Sequence, residues 1–142
     1  MSRAPHILVV DDEPGIVRVL CAVLEDAGYH PDPAGDGRAA LERARASVPD
    51  LVLLDYLMPH LDGRETLRAI RKEPTLAKLP VVMMSGVAES IIQRKCQGAF
   101  DAFLRKPFGL DDLLDVIARL LPSPRKAEPR NASSAKRARS SR

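Results

Sequence analysis

Three short, continuous runs of apolar residues constrain the fold of this chain more than any other feature. They span His6–Val10, Leu51–Leu54 and Val81–Met84. Their length and their lack of polar alternation indicate strands that are covered on both faces, as in a parallel sheet. Two weaker candidates, Tyr29–Pro33 and Asp101–Leu104, bring the number of predicted strands to five. The prolines of the first suit it to an edge of the sheet.

Helical patterns separate the predicted strands. The last helix carries an apolar stripe with helical period that is predicted to face the core, namely Leu110, Leu113, Leu114, Ile117, Leu120 and Leu121. An earlier helix is predicted over residues 13–27, followed by Gly28. Its core face is predicted to consist of Ile16, Leu20, Val23 and Leu24. Three further helices are predicted over residues 37–46, 64–72 and 88–97.

Strands that alternate with helices predict a doubly wound α/β fold, because right-handed crossovers place helices on both faces of a parallel sheet. Functional groups of such a sheet collect at the carboxyl ends of its strands. Polar residues stand at four of these ends: Asp11 and Asp12, Asp55, Ser85, and Lys106. We therefore expect these side chains to lie at one edge of the sheet.

The three aspartates would repel one another at this edge unless a cation or a proton compensated their charge. A few oxygen ligands, completed by water, suit Mg²⁺ better than zinc or calcium. With the ion bound, one carboxylate oxygen of this cluster could still attack a phosphorus atom, while the metal and a lysine neutralise charge on the phosphoryl oxygens. Ser85 could donate a hydrogen bond to one of those oxygens.

Each of these residues also has a simpler interpretation when it is taken alone. Asp12 could cap the helix that follows it. Lys106 could be a solvated surface lysine, and Ser85 a turn residue before Gly86. Only their occurrence together at matching strand ends favours a functional site.

Four segments together resemble the response-regulator receiver family over roughly residues 5–121. They are VVDDE, LVLLDYLMPHLDG, MSG and FLRKPF. The family's M-P-x-x-D-G pattern is matched by Met58, Pro59, Asp62 and Gly63. The resemblance implies a flavodoxin-like fold, with a five-stranded parallel sheet in the order 2-1-3-4-5 and five helices. Residues 1–121 would form the receiver domain.

The resemblance assigns the acceptor and the metal ligands. Asp55 would be the phosphorylated residue. Mg²⁺ would be held by Asp12, by Asp11 directly or through water, by Asp55, and by the backbone carbonyl of Leu57. The apolar side chain of Leu57 stands where a polar one could have guided a hydrolytic water, which predicts a fairly long-lived acyl phosphate.

The resemblance also assigns the residues that would read the phosphate. Lys106 and Ser85 would contact the phosphoryl group. Ser85 and Phe103 would form the switch, although an aromatic residue on a strand is also typical of plain core. Pro107 follows the lysine at a position where the family often has a cis peptide bond.

The predicted function is that of a phosphoacceptor in a two-component or phosphorelay system, not of an enzyme. A histidine kinase or phosphotransfer protein would phosphorylate Asp55, and a downstream protein would bind the face formed by helix 4, strand 5 and helix 5. We expect a single-domain regulator. One alternative is the receiver of a longer DNA-binding regulator. Another is a phosphatase with Asp55 as nucleophile, although Leu57 occupies the place of its usual second acid.

The positive charge of the chain is confined to its end. Residues 122–142 contain seven basic residues and one acidic residue, whereas residues 1–121 contain 15 basic and 18 acidic ones. The segment 122–142 is therefore predicted to be a disordered basic tail, the one place where nucleic acid could bind. The N-terminus has no long apolar run, so we expect a cytoplasmic protein without membrane contact. Cys21 and Cys96 are expected to be reduced.

Overall fold

The computed structural model describes residues 3–58 and 61–121. Within these residues, five strands alternate with five helices. The strands are β1 (His6–Val10), β2 (His30–Ala34), β3 (Leu51–Asp55), β4 (Val81–Ser85) and β5 (Ala102–Arg105). The helices are α1 (Pro14–Asp26), α2 (Gly37–Ala46), α3 (Gly63–Lys72), α4 (Glu89–Cys96) and α5 (Leu110–Leu120). The predicted basic tail, 122–142, lies outside the described residues, as does Pro59 of the M-P-x-x-D-G pattern.

All strands are parallel and run in the order β2-β1-β3-β4-β5, which confirms the predicted doubly wound sheet. Every residue of β1, β3 and β4 is buried, because helices cover both faces. Successive residues of these strands enter two separate cores. Leu8 and Val52 pack with α2, α3 and α4, whereas Ile7 and Leu53 pack with α1 and α5.

The two prolines of β2 lie where they break no bond of the sheet. The His30 N–H donates to the carbonyl of Pro5, at 2.9 Å, so His30 faces β1. Because backbone groups alternate in direction along a strand, Pro31 and Pro33 face the outer edge. A missing N–H is tolerated there, and β2 forms the edge of the sheet as predicted.

Two apolar residues that were predicted to face the core do not. Ile16 is 39% exposed and Leu110 is 42% exposed. Each lies in the first turn of its helix, beyond the carboxyl end of the preceding strand. The sheet does not extend beneath these turns, so the predictions for these two residues were wrong.

The helices begin and end within one residue of the predicted bounds. Gly28, after α1, has a φ of 96°, a conformation that favours glycine. The helix α4 ends at Cys96, one residue earlier than predicted, because Gln97 adopts a left-handed φ of 54°. Cys21 and Cys96 are free thiols, as expected.

No helix in the described part of the chain is long and apolar enough to cross a membrane.

Candidate functional site

The sheet brings all the predicted strand-end residues to one edge. Asp11 follows β1, Asp55 ends β3, Ser85 ends β4 and Lys106 follows β5. These four strands are neighbours in the sheet. Asp55 pairs with the residue before Ser85 in the β3–β4 ladder, which sets the two side by side.

Three carboxylates converge at this edge. Asp11, Asp12 and Asp55 each offer an oxygen within 4.8 Å of the others. Asp11 is 1% exposed, Asp12 is exposed, and the side chain of Asp55 retains 7% exposure. The carboxylate of Asp55 is thus nearly buried but keeps some contact with solvent. Asp12 does not cap α1, whose N-cap is Glu13 without a side-chain cap bond, so the capping alternative was wrong.

Lys106 connects two of the acids. Its Nζ lies 3.1 Å from Oδ2 of Asp11 and 3.1 Å from Oδ1 of Asp55. The other oxygen of Asp11 accepts a hydrogen bond from the Glu13 N–H at 3.0 Å. The peptide bond between Lys106 and Pro107 is cis, as the resemblance implied.

The site has unusual acid–base properties. Burial, followed by the negative charge of Asp11, raises the pKa of Asp55 to about 6, against the opposing effect of Lys106. Burial by itself lowers the pKa of Lys106, but its hydrogen bond to Asp11 and the charge of Asp55 outweigh this, so the pKa of Lys106 is raised. Lys106 is therefore charged at neutral pH, and the cluster keeps an excess of negative charge that a cation can neutralise.

The donor set fits Mg²⁺. It consists of carboxylate oxygens, two of them from the buried residues Asp11 and Asp55 and one from the exposed Asp12. Exposure of Asp12 leaves room for the water ligands that Mg²⁺ retains. Leu57 lies in the loop two residues after Asp55, and its side chain is 66% exposed. Its carbonyl remains a predicted ligand.

Gly63 packs directly against the backbone of Asp55 and Tyr56. A Cβ at this position would lie 2.7 Å from the Asp55 carbonyl oxygen and 2.7 Å from Cα of Tyr56. The Gly63 N–H donates to the Tyr56 carbonyl at 2.8 Å. Asp62 and Glu65 then form a capping box that fixes the start of α3. Asp62 and Gly63 of the M-P-x-x-D-G pattern therefore fix the start of α3 and bring it close to the backbone of Asp55 and Tyr56.

Ser85 is 2% exposed, and its Oγ accepts a hydrogen bond from the Val87 N–H at 3.0 Å. The Lys106 N–H donates to the Ser85 carbonyl at 2.8 Å. The next carbonyl, that of Gly86, accepts from Nε of Arg105 at 2.8 Å. Arg105 was not singled out from the sequence, because nothing local marks a strand residue as a partner of a neighbouring loop.

Phe103, the predicted switch residue, lies on β5 opposite Met83. It is partly buried, and its ring centre is 6.0 Å from that of Phe100. Phe103 therefore lies on the side of the sheet that α4 covers.

An apolar groove of about 410 Å³ lies beside Lys106. It is bounded by the first turns of α1 and α5, and includes Ile16, Val19, Pro107, Phe108 and Leu110. Ile16 and Leu110, which were predicted to face the core, thus form part of one exposed surface next to the acidic site.

Comparison with known proteins identifies the family. The model of the response regulator receiver domain matches residues 7–118. The chain belongs to this family, and it is a receiver domain of two-component signal transduction. Membership of a signalling family gives no support to the phosphatase alternative.

Individual relatives agree with this assignment. The chain is 35% identical over 120 residues to the DNA-binding dual master transcriptional regulator RpaA of Synechocystis sp., covering 82% of this chain and 49% of RpaA. The chain thus spans about half the length of RpaA. It spans 60% of response regulator Rre1 of Synechocystis sp. and 26% of regulatory protein AtoC of Escherichia coli.

Solved structures show the same fold. Chemotaxis protein CheY4 of Vibrio cholerae has a TM-score of 0.80 and 29% identity, covering 84% of this chain and all of CheY4. Response regulator TrrA of Thermotoga maritima, solved in complex with Mg²⁺ and BeF, has a TM-score of 0.74 and 32% identity, covering 82% of this chain and 99% of TrrA.

Proposed function

We propose that Asp55 accepts a phosphoryl group from a phosphohistidine of a histidine kinase or phosphotransfer protein. The observation that carries this proposal is the contact of one lysine with two of three clustered carboxylates, with Asp55 among them. A purely structural ion pair would not need the third acid. The phosphoryl group of such a donor derives from ATP, so the proposal places the protein in the cytoplasm.

The transfer exchanges one bond to phosphorus for another. Lys106 contacts Oδ1 of Asp55, which leaves Oδ2 to attack. A P–O bond forms to Asp55 as the P–N bond to the donor imidazole breaks, and the imidazole takes up a proton. The Lys106 ammonium stabilises negative charge on the phosphoryl oxygens. Its pKa is raised above the ordinary value, so it keeps this charge during the reaction.

A magnesium ion completes the proposed site. Asp11, Asp12, Asp55 and the carbonyl of Leu57 would hold it. When bound, Mg²⁺ neutralises charge on the phosphoryl oxygens and orients the group for in-line transfer. TrrA, which has the same fold, was solved with Mg²⁺, and this supports the choice of metal.

The apolar groove beside Lys106 supports a protein donor over a small molecule. Ile16, Val19 and Leu110 expose 39%, 52% and 42% of their surface. Apolar side chains at this density mark a contact surface for another protein. A donor bound there would present its histidine next to Lys106 and the acid cluster.

The phosphorylated state would be read by Ser85 and Phe103. Phosphorylation adds three acceptor oxygens and roughly −1.5 to −2 charges. Ser85 would turn from its bond with Val87 to donate to one of these oxygens, and the loop would move with it. Phe103 would then turn inward, which changes the face of α4, β5 and α5 that a downstream protein binds.

A second candidate function is that of a receiver domain within a longer regulator. RpaA is named as a DNA-binding regulator, and the chain spans 49% of its length. This coverage favours the alternative of a receiver within a longer DNA-binding regulator, beside our proposal of a single-domain regulator. The chemistry proposed for Asp55 is the same in both.

Phosphotransfer to matched variants tests the proposal. The protein and its Asp55→Asn variant are incubated with a panel of histidine kinases, or with acetyl phosphate, in the presence of Mg²⁺. We expect one phosphoryl group per chain in the wild type, loss of labelling in Asp55→Asn, and loss upon chelation of the metal. Labelling that persists in Asp55→Asn would show that another residue is the acceptor.

A further inference from the structure

The loop between β4 and α4 is held by a side chain that the proposed chemistry does not use. A Cβ built at Gly86 would meet nothing within 4 Å, so the loop is not packed on that side. The carbonyl of Gly86 nevertheless accepts a hydrogen bond from Nε of Arg105 at 2.8 Å. The side chain of Arg105 thus provides a specific restraint on an otherwise open loop.

We propose that Arg105 is a positioning residue that holds the Ser85–Val87 loop in its unphosphorylated arrangement and so sets the cost of recognising a phosphoryl group at Asp55. This inference rests on the proposed function. Arg105 pairs with Ser85 in the β4–β5 ladder, and its neighbour Lys106 bonds the Ser85 carbonyl through the backbone. Gly86 is therefore the first loop carbonyl beyond the sheet, and Arg105 is in register to bond it.

The restraint opposes the movement that phosphate recognition requires. Ser85 Oγ currently accepts from the Val87 N–H at 3.0 Å. Turning Ser85 toward a phosphoryl oxygen breaks this bond and displaces the loop, and the carbonyl of Gly86 moves with it. The bond between Arg105 and Gly86 must then lengthen or break. Its free energy is part of the difference between the two loop arrangements.

The other end of α4 is held much more firmly. The guanidinium of Arg71, on α3, donates to the carbonyls of Ala99 at 2.9 Å and Leu79 at 2.7 Å, and to the carboxylate of Asp101 at 2.9 Å. These bonds tie the turn after α4 and the start of β5 to α3. Release of the loop at Gly86 therefore moves the first turn of α4 about an anchored far end.

The test measures binding of beryllofluoride, a phosphoryl analogue, in the presence of Mg²⁺ by calorimetry. Arg105→Ala should bind it about three- to tenfold more tightly than the wild type, because a larger fraction of molecules already has the competent loop. The titration is made at saturating Mg²⁺, so that a change in metal affinity does not contribute. Loss of a positive charge near the site would then by itself weaken binding of the anion, so a gain cannot arise from charge. Affinity equal to or below that of the wild type would overturn the proposal.

Three further variants make the result specific. Arg105→Lys, which keeps the charge and a donor, should stay within about twofold of the wild type. Arg94→Ala removes an exposed charge from α4 and should leave the affinity unchanged. Asp55→Asn should abolish binding. If it binds as well as the wild type, the proposed function fails; if only Arg105→Ala lacks the expected effect, the restraint alone fails.

Discussion

The Nζ of Lys106 lies 3.1 Å from Oδ1 of Asp55, although the two residues belong to different strand ends on either side of β4. This amine provides the cationic partner of a carboxylate whose pKa is raised by burial and by the charge of Asp11.

Replacing Lys106 by alanine should separate metal binding from phosphate recognition. Without the ammonium, the carboxylates lose a positive neighbour that repels Mg²⁺, so Mg²⁺ affinity should rise by about three- to tenfold at a pH well above the pKa of Asp55. The response to beryllofluoride should be lost, because its fluorines no longer have their cation. Calorimetric titration with each ligand measures both effects. Weaker Mg²⁺ binding in this variant would contradict the assigned geometry.

The raised pKa of Asp55 predicts a pH dependence. With a pKa of about 6 in the metal-free protein, the Asp55 carboxylate is protonated as the pH falls from 7 to 5, so Mg²⁺ affinity should fall over this range and the phosphorylation rate should fall with it. The same pKa shift destabilises the metal-free fold at neutral pH. This cost shrinks as the pH falls below 6 and is gone below the ordinary pKa of 3.8. Asp55→Asn should accordingly raise the free energy of unfolding at pH 7 by about 1–2 kcal/mol, after allowance for solvent screening. Measurements in EDTA that show no gain would rule out this electrostatic cost.

Gly63→Ala should destabilise the domain by about 2–4 kcal/mol, since its Cβ would collide with backbone atoms of Asp55 and Tyr56. Gly15→Ala is the matched control, because a Cβ in that turn of α1 meets nothing within 4 Å. It should be neutral or slightly stabilising. Urea unfolding of both variants makes the comparison, and equal stabilities would show that the close approach at Gly63 is unimportant.

A charge in the apolar groove should impair transfer from a protein donor but not from a small molecule. Ile16→Asp should lower kcat/KM for phosphotransfer from a cognate kinase by about tenfold, because the new carboxylate must be desolvated at the interface. Labelling by acetyl phosphate should be unchanged. Val48→Asp alters another exposed residue and serves as the control. A similar loss in both variants would argue against this groove as the contact.

Leu57→Asn should shorten the lifetime of the phosphorylated state several-fold. The Leu57 side chain is 66% exposed, two residues after Asp55. An amide at this place can orient a water for attack, whereas leucine cannot. Timing the loss of phosphate from both proteins measures the difference, and identical lifetimes would refute this role.

Much of the fold followed from local patterns. The apolar runs of β1, β3 and β4 are buried throughout, which is why they lacked polar alternation. The strand-end rule placed Asp11, Asp55 and Lys106 together, because parallel strands present the same end to one edge. Periodicity failed for Ile16 and Leu110, since it gives the direction of a side chain but not the point where the sheet ends.

Other features of the site depend on contacts between distant segments. The bond of Arg105 to Gly86 requires the register of β4 against β5, which a single sequence does not reveal. The collision that excludes a side chain at Gly63 requires the path of the loop after β3. The roles of Ser85 and Phe103 came from family resemblance, and they remain predictions.

The prolines of β2 also limit how this protein can meet others. The backbone nitrogens of Pro31 and Pro33 point outward and carry no hydrogen. An extended peptide at this edge would therefore find no N–H donor there for its own carbonyl groups. Only the carbonyl groups of these two prolines could bond an added strand, so addition of a second copy or of an unfolded chain to this edge of the sheet is disfavoured. A signalling domain that must bind and release its partners is thereby protected at this edge from aggregation by strand pairing.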